Sequence, residues 1–148
     1  MHNCPDGWYT NKDYCYQFNA HPNQKASWKD ARRECQDFNQ PWKDSIDVAN
    51  ADLVSISSSE EQRFIENTFR NLGLFRSNSH FWTGFNKNNS KKFTWTDHSP
   101  ITYQNWKNKA STLANNCVKS SISIFDIGWE AADCTEKLHY VCKLKRGS

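Results

Sequence analysis

Six cysteines, at positions 4, 15, 35, 117, 134 and 142, are the residues of this chain with the clearest chemistry. Their number is even and their spacing uneven. Two stand close together at the front and three crowd the back, separated by a long cysteine-free stretch. Cysteines serve as metal ligands, redox couples or disulfides. No C-x-x-C pair occurs, so a zinc ribbon or a thioredoxin-like site has no support. His2, His21, His80, His98 and His139 are scattered, with no H-E-x-x-H and no i, i+4 pair, and read as surface or capping residues. Disulfides are the better account, and they imply an oxidising, extracellular compartment.

Catalytic constellations are missing. Ser, His and Asp are all present, but no G-x-S-x-G elbow or ordered triad appears, and no glycine-rich phosphate loop. Glu60-Glu61 looks like a carboxylate pair for acid/base work, yet at a helix N-terminus it reads as a complement to the helix dipole. An enzyme is therefore not expected. Asn88-Asn89-Ser90 is one glycosylation sequon on a polar turn, and whether Asn88 carries a glycan stays open.

The elements that must position these residues suit a single small domain. The chain has 148 residues, which fits one domain and leaves little room for two. Mean hydropathy is low at -0.92, yet aromatics reach 14%, which a disordered chain would lack. A small aromatic core braced by covalent links is the expectation. The formal net charge is only +3, with basic residues spread throughout, so nucleic-acid binding has no support. Lys143, Lys145 and Arg146 cluster near the end and read as a solvated tail. No 18-residue apolar run exists, so direct membrane insertion is not expected. The first residues do not read as a signal peptide, and residues 1–3 and 145–148 read as extensions around a domain at 4–144 cut from a secreted precursor or receptor.

Tyr14 to Phe18 alternates and suggests a strand. Ser27 caps a helix whose Trp28, Ala31, Cys35 and Phe38 fall at core-facing spacing. Asn39 to Asn50, with Pro41 and Trp42, reads as a surface loop. Leu53 to Ile56 is a short strand. Ser58 or Ser59 caps a second helix with Phe64, Ile65, Thr68, Phe69 and Leu72 on its inner stripe, ended by Gly73. After residue 80 strands dominate: Phe81 to Phe85, Phe93 to Thr96, Cys117-Val118, Ser121 to Phe125, and Leu138 to Leu144. Two helices followed by short strands indicate an α+β domain.

Taken in order, these segments resemble the C-type lectin-like domain family. The resemblance opens with Cys4-Pro5-Asp6-Gly7-Trp8 and Cys15-Tyr16-Gln17-Phe18, and continues through Trp28 to Cys35, Leu53 to Ile56 and Glu60 to Ile65. Phe81-Trp82-Thr83-Gly84-Phe85 resembles the family's W-I-G-L segment. Trp95-Thr96-Asp97 through Tyr103-Gln104-Asn105-Trp106 approaches its long loop, and Cys117, Trp129, Cys134 and Tyr140-Val141-Cys142 close it. The flavour is that of soluble lectins and mannose receptors, in the long form with an N-terminal hairpin. The resemblance implies two helices, two small antiparallel sheets and three disulfides, Cys4–Cys15, Cys35–Cys142 and Cys117–Cys134. By cysteine number alone many pairings are open.

Sugar-binding members of this family hold calcium, which wants six to eight oxygens. They supply an E-P-N or Q-P-D triplet in the long loop, an acid two places before the position of Cys117, and a W-N-D near Cys134. Here the long loop reads Lys107-Asn108-Lys109-Ala110-Ser111-Thr112-Leu113-Ala114-Asn115-Asn116, Asn115 stands for the acid, and W-N-D becomes Trp129-Glu130-Ala131. Calcium at this site, or any other cofactor, is not expected. Asp97, Asp126 and Asp133 read as solvated loop carboxylates rather than a secondary site.

The expectation is an extracellular recognition domain that binds a protein or other macromolecule without calcium through the long-loop face. The candidate residues are Lys107, Asn108, Lys109, Asn115, Asn116 and Glu130, with Trp42 in the 39–50 loop. The two lysines favour an acidic or sulfated partner by electrostatic steering. The alternative is calcium-independent carbohydrate binding through exposed aromatics and amides. A matrix-associated role needs a flat repetitive face or high charge density, and neither shows.

Overall fold

The computed structural model describes residues 3–38, 50–74 and 79–146. In chain order the elements are β1 (Tyr9–Asn11), β2 (Tyr14–Asn19), α1 (Trp28–Gln36), β3 (Asp52–Leu53), α2 (Ser59–Asn71), β4 (His80–Lys87) and β5 (Phe93–Trp95). A short 3₁₀ turn (Lys109–Thr112), β6 (Cys117–Ser121), β7 (Trp129–Ala132) and β8 (His139–Lys145) follow. The three disulfides are Cys4–Cys15, Cys35–Cys142 and Cys117–Cys134, as the family resemblance implies.

Both helices begin where a serine hydroxyl satisfies a free backbone N–H. Ser27 Oγ accepts from the Asp30 amide, and Ser58 Oγ accepts from the Glu61 amide. Helix α2 stops at Leu72, and Gly73 follows in the left-handed conformation. Leu72 therefore lies past the last helical turn and is 44% exposed, not part of the inner stripe.

The strands run in the order β1-β2-β8-β4-β6-β7, with β3 on β8 and β5 on β4. The pairings are antiparallel except for β4 with β8, where Phe81 faces His139 and Trp82 faces Tyr140. That parallel contact joins the two expected small sheets into one mixed sheet. Strand β3 is shorter than Leu53–Ile56, but Val54 keeps bridging: its N–H donates to Val141 and its carbonyl accepts from Gly84.

Side chains alternate across this sheet, so each strand feeds two cores. Cys15, Trp82, Tyr140 and Cys142 point to the α1 side, with Ala31, Cys35 and Leu53. Tyr16, Phe81, Val118 and Val141 point to the α2 side, with Ile65, Phe69, Phe85, Trp95 and Trp129. Helix α1 is pinned by Cys35–Cys142, and that bridge across most of the chain stabilises by about 4–5 kcal/mol in the chain-entropy account.

Two charged residues contradict their surface readings. Lys143 is buried within β8 and not in a solvated tail, and β8 itself runs through Lys145. The Lys143 ammonium lies 2.7 Å from Glu61 Oε2 and donates to the Ser55 carbonyl at 3.0 Å. Glu61 is likewise buried and accepts from the Tyr16 hydroxyl and the Ser57 amide. It is the partner of an internal cation more than of the helix dipole. Burial raises the Glu61 carboxyl, but the Lys143 charge and the hydrogen bonds outweigh it and hold the group below its usual range.

Candidate ligand-binding face

The long loop leaves the core through an aromatic floor. Trp129 is fully buried, and its indole N–H donates to Gln62 Oε1 of α2 at 2.9 Å. Trp106 packs on Phe93, with ring centroids 4.9 Å apart, and on Trp129, 5.9 Å away. Trp82, Trp95 and Trp129 belong to the core, while Trp28 and Trp106 sit half-buried at its edges.

Asn105 to Lys107 runs alongside Gly128 to Glu130. The Trp129 amide donates to Asn105 at 2.7 Å, and the Lys107 amide donates to Trp129 at 3.0 Å. The approach is so close that a Cβ on Gly128 would stand 2.8 Å from the Lys107 backbone, and Gly128 also adopts φ +119°. Only glycine meets both demands.

This ladder aims the Lys107 side chain at two carboxylates. Its Nζ lies 2.6 Å from Asp126 Oδ1 and 3.7 Å from Glu130 Oε1. The hydrogen bond to Asp126 raises the Lys107 pKa, with Glu130 adding to it, and the same bond lowers that of Asp126. The two expected long-loop cations therefore reduce to Lys109, which is exposed and has no ion-pair partner among the described residues.

Asn108 is engaged within the loop. Its Oδ1 accepts from the Ser111 amide at 3.0 Å and the Ser111 hydroxyl at 3.1 Å, capping the 3₁₀ turn. Ala114 takes φ +75° and turns the chain into Asn115 and Asn116. The Asn116 carbonyl accepts from Lys87 of β4, which fixes the return. The side-chain amides of Asn115 and Asn116 hold no hydrogen bond among the described residues. Glu130, on β7 and half-exposed, pairs in register with Lys119, whose ammonium instead reaches Glu136 at 3.2 Å. Cys117–Cys134 closes the base of this face.

The face thus brings together Lys107 and Glu130 and positions Lys109, Asn115 and Asn116 on the same loop. Trp42 and most of its 39–50 loop lie outside the described residues. Asn88 is exposed on the β4–β5 turn, with its Oδ1 accepting from the Ser90 and Lys92 amides. Asp97 accepts from Ser55 and Ser99, and Asp133 from Thr135. Among the described residues no group of three His, Cys, Asp or Glu side chains could hold a metal ion.

One part of the face has no counterpart in the sequence reading. Strand β6 ends at Ser121, and residues 122–128 form a loop instead of a strand through Phe125. Ile124, Phe125 and Ile127 on it are 60%, 81% and 59% exposed.

The profile of the Lectin C-type domain matches residues 24–144, and the chain belongs to that family. Echinoidin of Heliocidaris crassispina is 29% identical over 145 residues, covering 95% of this chain and 96% of that one. C-type mannose receptor 2 of Homo sapiens is 32% identical over 139 residues, and the match spans 90% of this chain but only 8% of that receptor. The crystal structure of the C-type lectin CEL-I from Cucumaria echinata superposes with a TM-score of 0.79 at 25% identity, covering 99% of this chain and all of that one. Members of this family are generally binding proteins, not enzymes. No described helix is long and apolar enough to cross a membrane.

Proposed function

We propose that this chain is an extracellular, non-enzymatic recognition domain that binds a protein or other macromolecular ligand without calcium, through the face built on Lys107, Lys109, Asn115, Asn116 and Glu130. The observation that carries the reading is the Lys107 ammonium between Asp126 and Glu130. In the resemblance, Glu130 and Asn115 stand where calcium ligands belong. A calcium ion there needs several oxygens free of competing cations. The donors present do not fit it: Glu130 already faces an ammonium, Ala131 offers a methyl, and Asn108 spends its carbonyl on Ser111. A partly solvated lysine ties the loop in the ion's place.

The single exposed lysine of this loop weakens the case for a strongly sulfated ligand and favours a contact of mixed polar and apolar character. A second reading is calcium-independent sugar binding. It is supported by the side-chain amides of Asn115 and Asn116, which hold no hydrogen bond among the described residues, and by the kinship with echinoidin and CEL-I, the latter a C-type lectin by name. A glycan array and a panel of extracellular protein ectodomains, both probed in EDTA, separate the two. Binding to an ectodomain with a silent glycan array supports the proposal. Specific EDTA-resistant glycan binding, lost in Asn115→Ala/Asn116→Ala, replaces it with the lectin reading.

A further inference from the structure

A cavity of about 890 Å³ lies beside α1, and no residue of the long-loop face lines it. Its base holds two polar residues that are more than nine-tenths buried, Asn19 at 5% exposure and Tyr140 at 7%. Asn19 donates through Nδ2 to the Tyr140 carbonyl at 3.3 Å and to Gln17 Oε1 at 3.5 Å, while its Oδ1 accepts nothing among the described residues. The Tyr140 hydroxyl holds no hydrogen bond among them either. Polar atoms of buried residues are ordinarily bonded. The cavity therefore ends in one unused acceptor and one unused hydroxyl. Burial, and after it the charge of Glu34, raises the Tyr140 phenol above its ordinary 10.0, so the hydroxyl stays protonated and can donate.

The rim carries exposed charges of both signs on separate elements. Glu34 and Asp37 stand three residues apart at the end of α1 and share its face. Lys25 and Lys137 come together on the opposite wall, because Ala26 and Leu138 exchange backbone hydrogen bonds at 2.9 and 3.0 Å. None of the four has an ion-pair partner among the described residues. Arg33, which also lines the cavity, is answered by Asp30 at 3.5 Å.

An anion or a cation alone would be drawn to one wall and repelled by the other. A neutral sugar would use the base but leave both charged walls without a partner. A short peptide with free termini matches every group: an ammonium for the carboxylates, a carboxylate for the lysines, an amide N–H for Asn19 Oδ1 and a carbonyl for the Tyr140 hydroxyl. The volume falls in the range of small-ligand sites. We infer that this cavity binds a short zwitterionic peptide, its ammonium on Glu34 and Asp37 and its carboxylate on Lys25 and Lys137.

The test is saturation-transfer NMR of the wild-type domain in EDTA with a library of unmodified tripeptides, followed by calorimetry on those that bind. Each binder is repeated as its N-acetyl form and its C-terminal amide. Glu34→Gln/Asp37→Asn, Lys25→Gln/Lys137→Gln, Tyr140→Phe and Asn115→Ala/Asn116→Ala are compared, with thermal melts to establish that each is folded. The expected result is tripeptide binding that weakens about fivefold or more in Tyr140→Phe and about tenfold or more in either charge double variant. Either cap weakens it similarly, and Asn115→Ala/Asn116→Ala leaves it unchanged. Absence of transfer from every tripeptide overturns the site and leaves the long-loop reading standing. Capped peptides that bind as well as free ones, or binding lost only in Asn115→Ala/Asn116→Ala, overturn it too. Tyr140-dependent binding of maltotriose in place of the peptides makes the cavity a sugar site and overturns the inference.

Discussion

The Lys107 ammonium lies 2.6 Å from the Asp126 carboxylate and ties the start of the long loop to the β6–β7 loop. Both side chains are partly solvated, so solvent screens the pair and its worth in stability is at most about 1 kcal/mol. Its role is positional. Lys107→Gln should leave the denaturation midpoint nearly unchanged while amide exchange at residues 124–127 accelerates. Unchanged exchange would show that the serine hydrogen bonds hold the loop alone.

Lys143 and Glu61 form the opposite case, since both are buried. Lys143→Met leaves a buried carboxylate without its cation and should cost about 3–5 kcal/mol by urea denaturation. Adding Glu61→Gln removes the stranded charge and should recover much of that loss. A single variant as stable as wild type would contradict the pairing.

Acid should destabilise the domain in two steps. His139 is buried and its Nδ1 donates to the Asn19 carbonyl at 2.9 Å, yet burial holds its pKa below the ordinary 6.5. The unfolded chain therefore takes up this proton first. The stability held by neutral His139 is full above 6.5 and is lost as pH falls through the lowered folded value. Glu61, held below 4.5, behaves likewise at lower pH: its contribution is full above 4.5 and is lost as pH falls through the folded value. Urea midpoints should be flat above neutrality, fall below about pH 6.5, and lose the upper step in His139→Asn. A wild-type midpoint unchanged down to about pH 5 would refute the assignment.

Gly128→Ala places a methyl 2.8 Å from the Lys107 backbone at φ +119°. Backbone strain of this kind costs about 1–3 kcal/mol, and the clash adds to it. A lowered melting temperature together with faster exchange in the Lys107 segment is expected. An unaffected melt would mean that the two strands part easily.

What was legible in the sequence is what local chemistry dictates. Ser27 and Ser58 cap their helices because each hydroxyl needs only the amide three residues on. The disulfide pairs follow from the order of family segments, since cysteine number alone leaves the pairing open. The burial of Lys143 was hidden, because a lysine near a basic end reads as solvated until Glu61 and Ser55 are known to surround it. The 122–128 loop is hidden for a related reason. Ser121, Ile122, Ser123 and Ile124 alternate like a strand, but the serine hydroxyls take the amides that a neighbouring strand would have used. Of the candidate site, the order of family segments points to Lys107 and Glu130, while the ion pair between them depends on Gly128 bringing two distant segments together.

The most direct measurement is a pair of thermal melts of the wild-type domain, one in millimolar calcium and one in EDTA, in otherwise identical buffer. If Lys107 occupies the electrostatic role of the ion, the two curves coincide. A clear calcium-dependent rise in melting temperature would contradict the account, because an ion that binds the folded state must stabilise it.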